Sequence, residues 1–182
     1  MAKKETQKSK KIKEILLGLA SKEENKQIEV VKSLKLHGDE TVLEPLIQLW
    51  IATGSTQIKS EIEDLLNTIK STKVPEKLIA CLNNPSFSSA RQMMLASIWN
   101  SGLDYRPYLG DIATATVQGD FMDVMECITI LENIEGQLNE EEIMDALLVF
   151  KTYLVDKKDE EGPKVQLIKE MVISLQELND NV

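Results

Sequence analysis

The 182-residue sequence predicts an all-α protein, an α-α superhelix of about ten helices, and three observations carry that reading. Apolar residues recur with helical period along nearly the whole chain, while strand-like alternation is almost absent. Aromatics make up only 4% of the residues, and the abundant Leu, Ile, Met, Ala, Glu and Lys favour helix over strand. Five prolines and eight glycines leave room only for short connections, and one short pattern returns in register along the chain.

The elements follow in order. Ile12, Ile15, Leu16 and Leu19 share one face of a first helix, and Ile28, Val31 and Leu34 mark a second that stops near Gly38. A third runs from Thr41 to Thr53 through Leu43, Leu46, Ile47 and Trp50. Thr41 and Glu44 suit a capping box there, with Pro45 still in the first turn. The fourth carries Ile58, Ile62, Leu65, Leu66 and Ile69. Pro75 opens a fifth through Leu78, Ile79 and Leu82, and the Asn-Asn-Pro-Ser turn at 83–86 ends it. The sixth uses Ala90, Met94, Leu95 and Ile98 and ends at Gly102. The seventh starts near Asp104, holds Pro107 in its first turn and ends near Gly119. The eighth uses Phe121, Val124, Met125, Ile128 and Leu131 and stops before Gly136. Asn139 and Glu142 form a second capping box, opening a ninth helix with Ile143, Leu147, Phe150 and Leu154. A charged loop follows, and Pro163 starts a last helix on Ile168, Met171, Val172, Leu175 and Leu178.

These helices repeat in register. "EPLI" at 44–47 returns as "EKLI" at 76–79, and the same shift takes Ile62 to Met94, Leu66 to Ile98 and Lys59 to Arg91. A second step, one position longer, carries Met94 to Cys127 and Ile98 to Leu131. The units "EPLIQLWIATGSTQIKSEIEDLLNTI" and "VPEKLIACLNNPSFSSARQMMLASIWNSG" resemble HEAT-like repeats: proline early in one helix, a short polar turn, then a basic residue near the start of the next helix. "YRPYLGDIATATVQGDFMDVMECITILENI" fits the apolar pattern but has Asp123 where the basic residue would fall. The resemblance spans roughly residues 25–135 and implies a HEAT-like/ARM-like right-handed solenoid; the tetratricopeptide pattern is absent. The expected organisation is a disordered basic tail over 1–11 and a single helical-repeat domain over 12–182. Within that domain, 12–38 are N-terminal helices, 39–135 the repeats and 138–182 capping helices.

Charge narrows the function. The formal net charge is −9, yet residues 1–13 hold six lysines against Glu5, a net +5, which leaves −14 for the remainder. A body that acidic repels phosphate backbones and favours a basic partner. No secretory signal and no stretch long and apolar enough for a membrane span is visible. Cys81 and Cys127 lie far apart without metal or redox spacing, which suits reduced thiols and a cytoplasmic location.

Catalytic chemistry finds no support. His37, the only histidine, sits before a helix-stopping glycine, where a polar side chain meets the helix C-terminus. Both cysteines fall on apolar stretches and read as small buried hydrophobes. No glycine motif forms a nucleotide cradle. Ser55 and the cluster Ser86, Ser88 and Ser89 lack a nucleophile turn. Glu140, Glu141 and Glu142 are explained by the helix dipole and cap, so neither a metal nor a cofactor is expected. Trp50 reads as core. Tyr105, Arg106 and Tyr108, with Gln48, Lys77 and Asp111 along the same layer of proline-bearing helices, form the expected protein-binding patch. That layer lines the concave face in the HEAT-like arrangement. The function expected is a non-enzymatic protein–protein interaction scaffold or adaptor, monomeric. The alternative is a nucleic-acid-binding HEAT-like protein similar to DNA glycosylases, which the acidic body disfavours.

Overall fold

A computed structural model describes residues 7–37 and 40–179, with ten α-helices and no strand among them. They are α1 (Gln7–Leu19), α2 (Glu24–His37), α3 (Leu43–Ala52), α4 (Thr56–Thr68), α5 (Val74–Leu82), α6 (Arg91–Ser101), α7 (Leu109–Gln118), α8 (Phe121–Asn133), α9 (Glu140–Asp156) and α10 (Pro163–Asn179). The expectations placed on residues 1–6, on Gly38 and on the His37 side chain lie outside the described parts. The expected tail shortens, because Lys8, Lys10 and Lys11 already belong to α1.

The helices pack in two rows. Odd-numbered helices follow one another, α1 on α3, α3 on α5, α5 on α7 and α7 on α9. Even-numbered helices do the same from α2 to α10. Across the rows the helices pair as α1 with α2, α3 with α4, α5 with α6, α7 with α8 and α9 with α10. The core lies between the rows. On α4 and at its end, the buried residues Ile58, Ile62, Leu65, Leu66 and Ile69 are matched around α6 by Ala90, Met94, Ser97, Ile98 and Ser101. Each of these is buried, and each follows at the shift that relates the two sequence repeats. The two serines are satisfied inside their own helix: Ser97 donates to the Met94 carbonyl (2.8 Å) and Ser101 to that of Ile98 (3.2 Å).

In the longer second step of the repeat, Met94 is succeeded by Cys127 and Ser97 by Ile130, both buried. In that register Asp123 stands level with Ala90. It does not occupy the basic position of Arg91, which corrects the sequence reading. The α8 stripe is rotated accordingly. Val124, Cys127 and Ile130 form its buried face with Asp123, while Phe121 and Met125 are exposed.

Several helix starts differ from expectation. The Thr41–Glu44 box is not made: a 3₁₀ turn over Glu40–Val42 leads into α3, and its N-cap Val42 is already in helical conformation without a side-chain cap. A capping side chain needs an extended N-cap backbone, and burial of Val42 and Leu43 selects the tighter entry instead. Pro107 belongs to a separate 3₁₀ turn, Arg106–Tyr108, ahead of α7. Likewise Pro85–Ala90 forms a 3₁₀ segment between α5 and α6, its entry capped by the Asn84 side chain on the Ser86 N–H (3.0 Å). The Asn139–Glu142 box is present as expected, with reciprocal bonds of 2.9 Å. Gly102 ends α6 at φ 62°, a left-handed position where a Cβ would be strained.

Met94 is fully buried at the centre of the even row. Replacing it with alanine should cost about 2–5 kcal/mol through lost transfer energy and the residual cavity. Urea unfolding should show a lower midpoint with an unchanged slope.

Candidate functional site

The structure divides the expected patch between exposed residues and residues engaged within the chain. Gln48 on α3, Lys77 on α5 and Asp111 on α7 are exposed along the odd row; Gln48 bonds Glu44 (3.4 Å), and Asp111 accepts from Asn83 (2.8 Å). Tyr105, however, is a core side chain, 3% exposed. Its hydroxyl makes no well-formed hydrogen bond among the described residues, and burial pushes the phenol well above its usual range, opposed by the nearby Ser101 side chain. Arg106 is half-buried and committed to holding loops together. Its Nε and Nη2 bond both Asp104 carboxylate oxygens (2.9 and 2.8 Å), and its Nη1 donates to the Gln137 carbonyl (3.1 Å). That pair holds the Asp104 carboxyl below the ordinary range. Tyr108 is half-buried against the core.

The surface feature that does converge lies across α4, α6 and α8, with the end of α3 at its edge. A groove of about 360 Å³ is lined by Trp50, Glu63, Asn67, Gln92, Asn100 and Glu126, with Ser89, Met93 and Ala96 between them. Trp50, expected in the core, is half-buried. Its indole N–H donates to Glu63 Oε1 (2.8 Å), and the Lys59 ammonium lies 4.1 Å from its ring centroid. Further along, Trp99 of α6 donates to Glu126 Oε2 (3.0 Å) and Gln92 to Glu126 Oε1 (3.4 Å). Trp99 also walls a second cleft of about 320 Å³, where Asp104, Arg106, Asn133 and Glu135 surround a floor of Ile98, Ile130 and Ile134. The bonded Trp99–Glu126 pair therefore stands between the two depressions. The tryptophans were the visible signal in the sequence. Glu63 and Glu126 carried none, being ordinary acids in an acidic chain until the fold set an indole N–H before each.

A second polar constellation is structural, with Arg91 and Asp123 nearly buried and Asp120 exposed. Arg91 at the start of α6 pairs with Asp123 on α8 (3.7 Å). Asp120 caps α8 by accepting from Met122 and Asp123 N–H, and Asp123 accepts from the Asp120 N–H (3.0 Å). Lys164 of α10 donates to the carbonyls of Val117 (2.7 Å) and Gly119 (2.6 Å), which ties the α7–α8 turn to the last helix. A Cβ on Gly119 would collide with the Asp123 carboxylate, so glycine is required by space. Burial pushes the Asp123 carboxyl up, helped by neighbouring Asp120 and opposed by the backbone bond and Arg91. Burial lowers the Lys164 ammonium.

Cys81 and Cys127 are free and buried. Burial pushes each thiol up to about 11, with Glu44 adding at Cys81 and Thr116 opposing at Cys127. Among the described residues no three His, Cys, Asp or Glu side chains gather as a metal-ligand set. Comparison with family models, curated proteins and solved structures finds no match for this chain.

Two outcomes are expected. At pH 8 a thiol with a pKa near 11 is ionised in roughly one molecule per thousand, so neither cysteine should react with Ellman's reagent until urea unfolds the protein. Asp123 holds its proton more tightly folded than unfolded. Its contribution should therefore make the protein lose stability as pH rises from the ordinary aspartate pKa, about 4, through the raised folded value, and then level off. Urea titrations from pH 4 to 7 should show this slope reduced in Asp123→Asn; an identical pH profile would remove the assignment.

Proposed function

We propose that this chain is a non-enzymatic scaffold or adaptor, a HEAT-like right-handed α-solenoid that binds another protein along the groove over α4, α6 and α8. Support for the repeat reading comes from the buried stripe of α4 that returns in register on α6 and from the two rows of helices. The single observation that carries the binding reading is the pair of tryptophans, each with its indole N–H held by a glutamate that lines one open groove. Tryptophan offers a large, stiff contact area at low entropic cost, and packed helices hold it in place before a partner arrives. The groove replaces the odd-row patch as the proposed contact surface, because burial removes Tyr105 and loop bonding occupies Arg106.

The proposal includes a cytoplasmic site of action and a monomeric state. The free, buried thiols suit a reducing compartment. No described helix is long and apolar enough to cross a membrane. Nucleic acid is disfavoured as the ligand, since the carboxylates of Glu63 and Glu126 face the place a phosphate would occupy.

The test is site-specific photocrosslinking. A photoreactive phenylalanine at Gln92 should capture a discrete protein partner from cell lysate, whereas the same group at Lys77 on the odd row should not. Equal capture at both positions, or none at Gln92, would remove the groove from the proposal.

A further inference from the structure

We infer that the groove recognises an extended polypeptide segment bearing arginine or lysine, with the cationic side chain laid over the face of Trp99 at the groove's border and against the Glu126 carboxylate that holds its N–H. This deepens the scaffold reading and rests on it. The molecule contains an internal precedent. The Lys59 ammonium of α4 lies over the Trp50 ring, whose N–H is held by Glu63, so a tryptophan–glutamate unit of this chain already hosts a cation. The Trp99–Glu126 unit is built of the same two side chains, but the group beside it is the neutral amide of Gln92.

Charge in the two depressions points the same way. With the bonded Arg106–Asp104 pair set aside, their lining holds Glu63, Glu126 and Glu135. Arg106 is bonded to both oxygens of Asp104, Lys59 is stacked on Trp50, and Lys70 donates to the Ser101 carbonyl. Each of these nearby cations thus has its own intrachain partner. Glu126 accepts from Trp99 through one oxygen and from Gln92 through the other, and a carboxylate offers about four lone-pair sites, so acceptor capacity remains. Arginine fits best, because its planar guanidinium can bond the carboxylate and stack on the indole together. Asn67, Gln92 and Asn100 supply amides suited to the backbone of an extended segment.

The experiment uses the full chain and fluorescein-labelled dodecapeptides of Gly and Ser carrying two Arg, two Lys or two Glu. Binding is followed by anisotropy and by tryptophan emission. Arg peptides should bind most tightly, Lys peptides less so and Glu peptides not at all. Glu126→Gln should weaken Arg-peptide binding roughly tenfold, the order expected for one charge-assisted contact, whereas Glu63→Gln, beside the tryptophan that Lys59 already covers, should weaken it less. Gln92→Lys places a competing ammonium before Glu126 and should weaken it likewise, which keeps the test sound if one glutamate variant misfolds. Lys77→Gln should change nothing. Equal binding of Arg and Glu peptides, no binding of either, or wild-type affinity in both Glu126→Gln and Gln92→Lys would overturn the inference. If Gln92 still photocrosslinks a partner in that case, the groove stands and only its cation preference falls. If it captures nothing, both fall together.

Discussion

Isolated helices shorter than about 12–15 residues are marginal in water, and α1 to α8 all lie within that length. Each must bury its apolar stripe against a neighbour, and α6 shows how. It lies between α4 and α8 in its own row and against α5 of the other, with Met93, Met94, Leu95 and Ile98 buried around much of its circumference. The return of the buried positions of α4 at equivalent places around α6 lets one stripe pack against the next without changing its geometry. Small residues at Ala90, Ser97 and Ser101 replace larger ones of the α4 unit, and both serine hydroxyls are satisfied within the helix, so neither is stranded.

The same stacking forces polar groups inward at the edge where α6, α8 and α10 begin. Asp123 accepts the backbone N–H that opens α8 and also faces Arg91, while Lys164 collects the carbonyls that close α7. Helix ends leave unpaired N–H and C=O groups, and here charged side chains meet them. The arrangement orders three helices at one edge, but it buries Asp123 enough to raise its pKa and leaves Arg91 Nε without a partner among the described residues. Elsewhere, Arg106 bonds Asp104 and the Gln137 carbonyl, joining the α6–α7 and α8–α9 connections.

The proposed function depends on what this packing leaves at the surface. Both tryptophans are anchored by glutamates, which costs them little further freedom when a partner binds. Acidic side chains gather where those tryptophans stand, and the nearby cations are engaged within the chain. A basic segment therefore finds both steering charge and a preformed aromatic wall.

Local chemistry made much of the fold legible. The sparse glycines and prolines and the helical period determined ten helices in the right order. Asn139 with Glu142 determined a cap, and Gly102 a helix end, because each acts over a few residues of chain. The return of one unit's pattern in the next was also readable, since it is a property of the sequence itself. Tertiary structure decided the rest. Thr41 and Glu44 had the spacing of a box, but burial of Val42 and Leu43 chose a 3₁₀ entry. Tyr105 had the composition of an interface residue, and the α6–α7 turn carried it into the core. The longer second step of the repeat set Asp123 against Arg91 instead of in its place. The groove belonged wholly to this second class. Trp99 and Glu126 are 27 residues apart, and no local rule joins them; only the docking of α8 on α6 puts the carboxylate at the indole N–H.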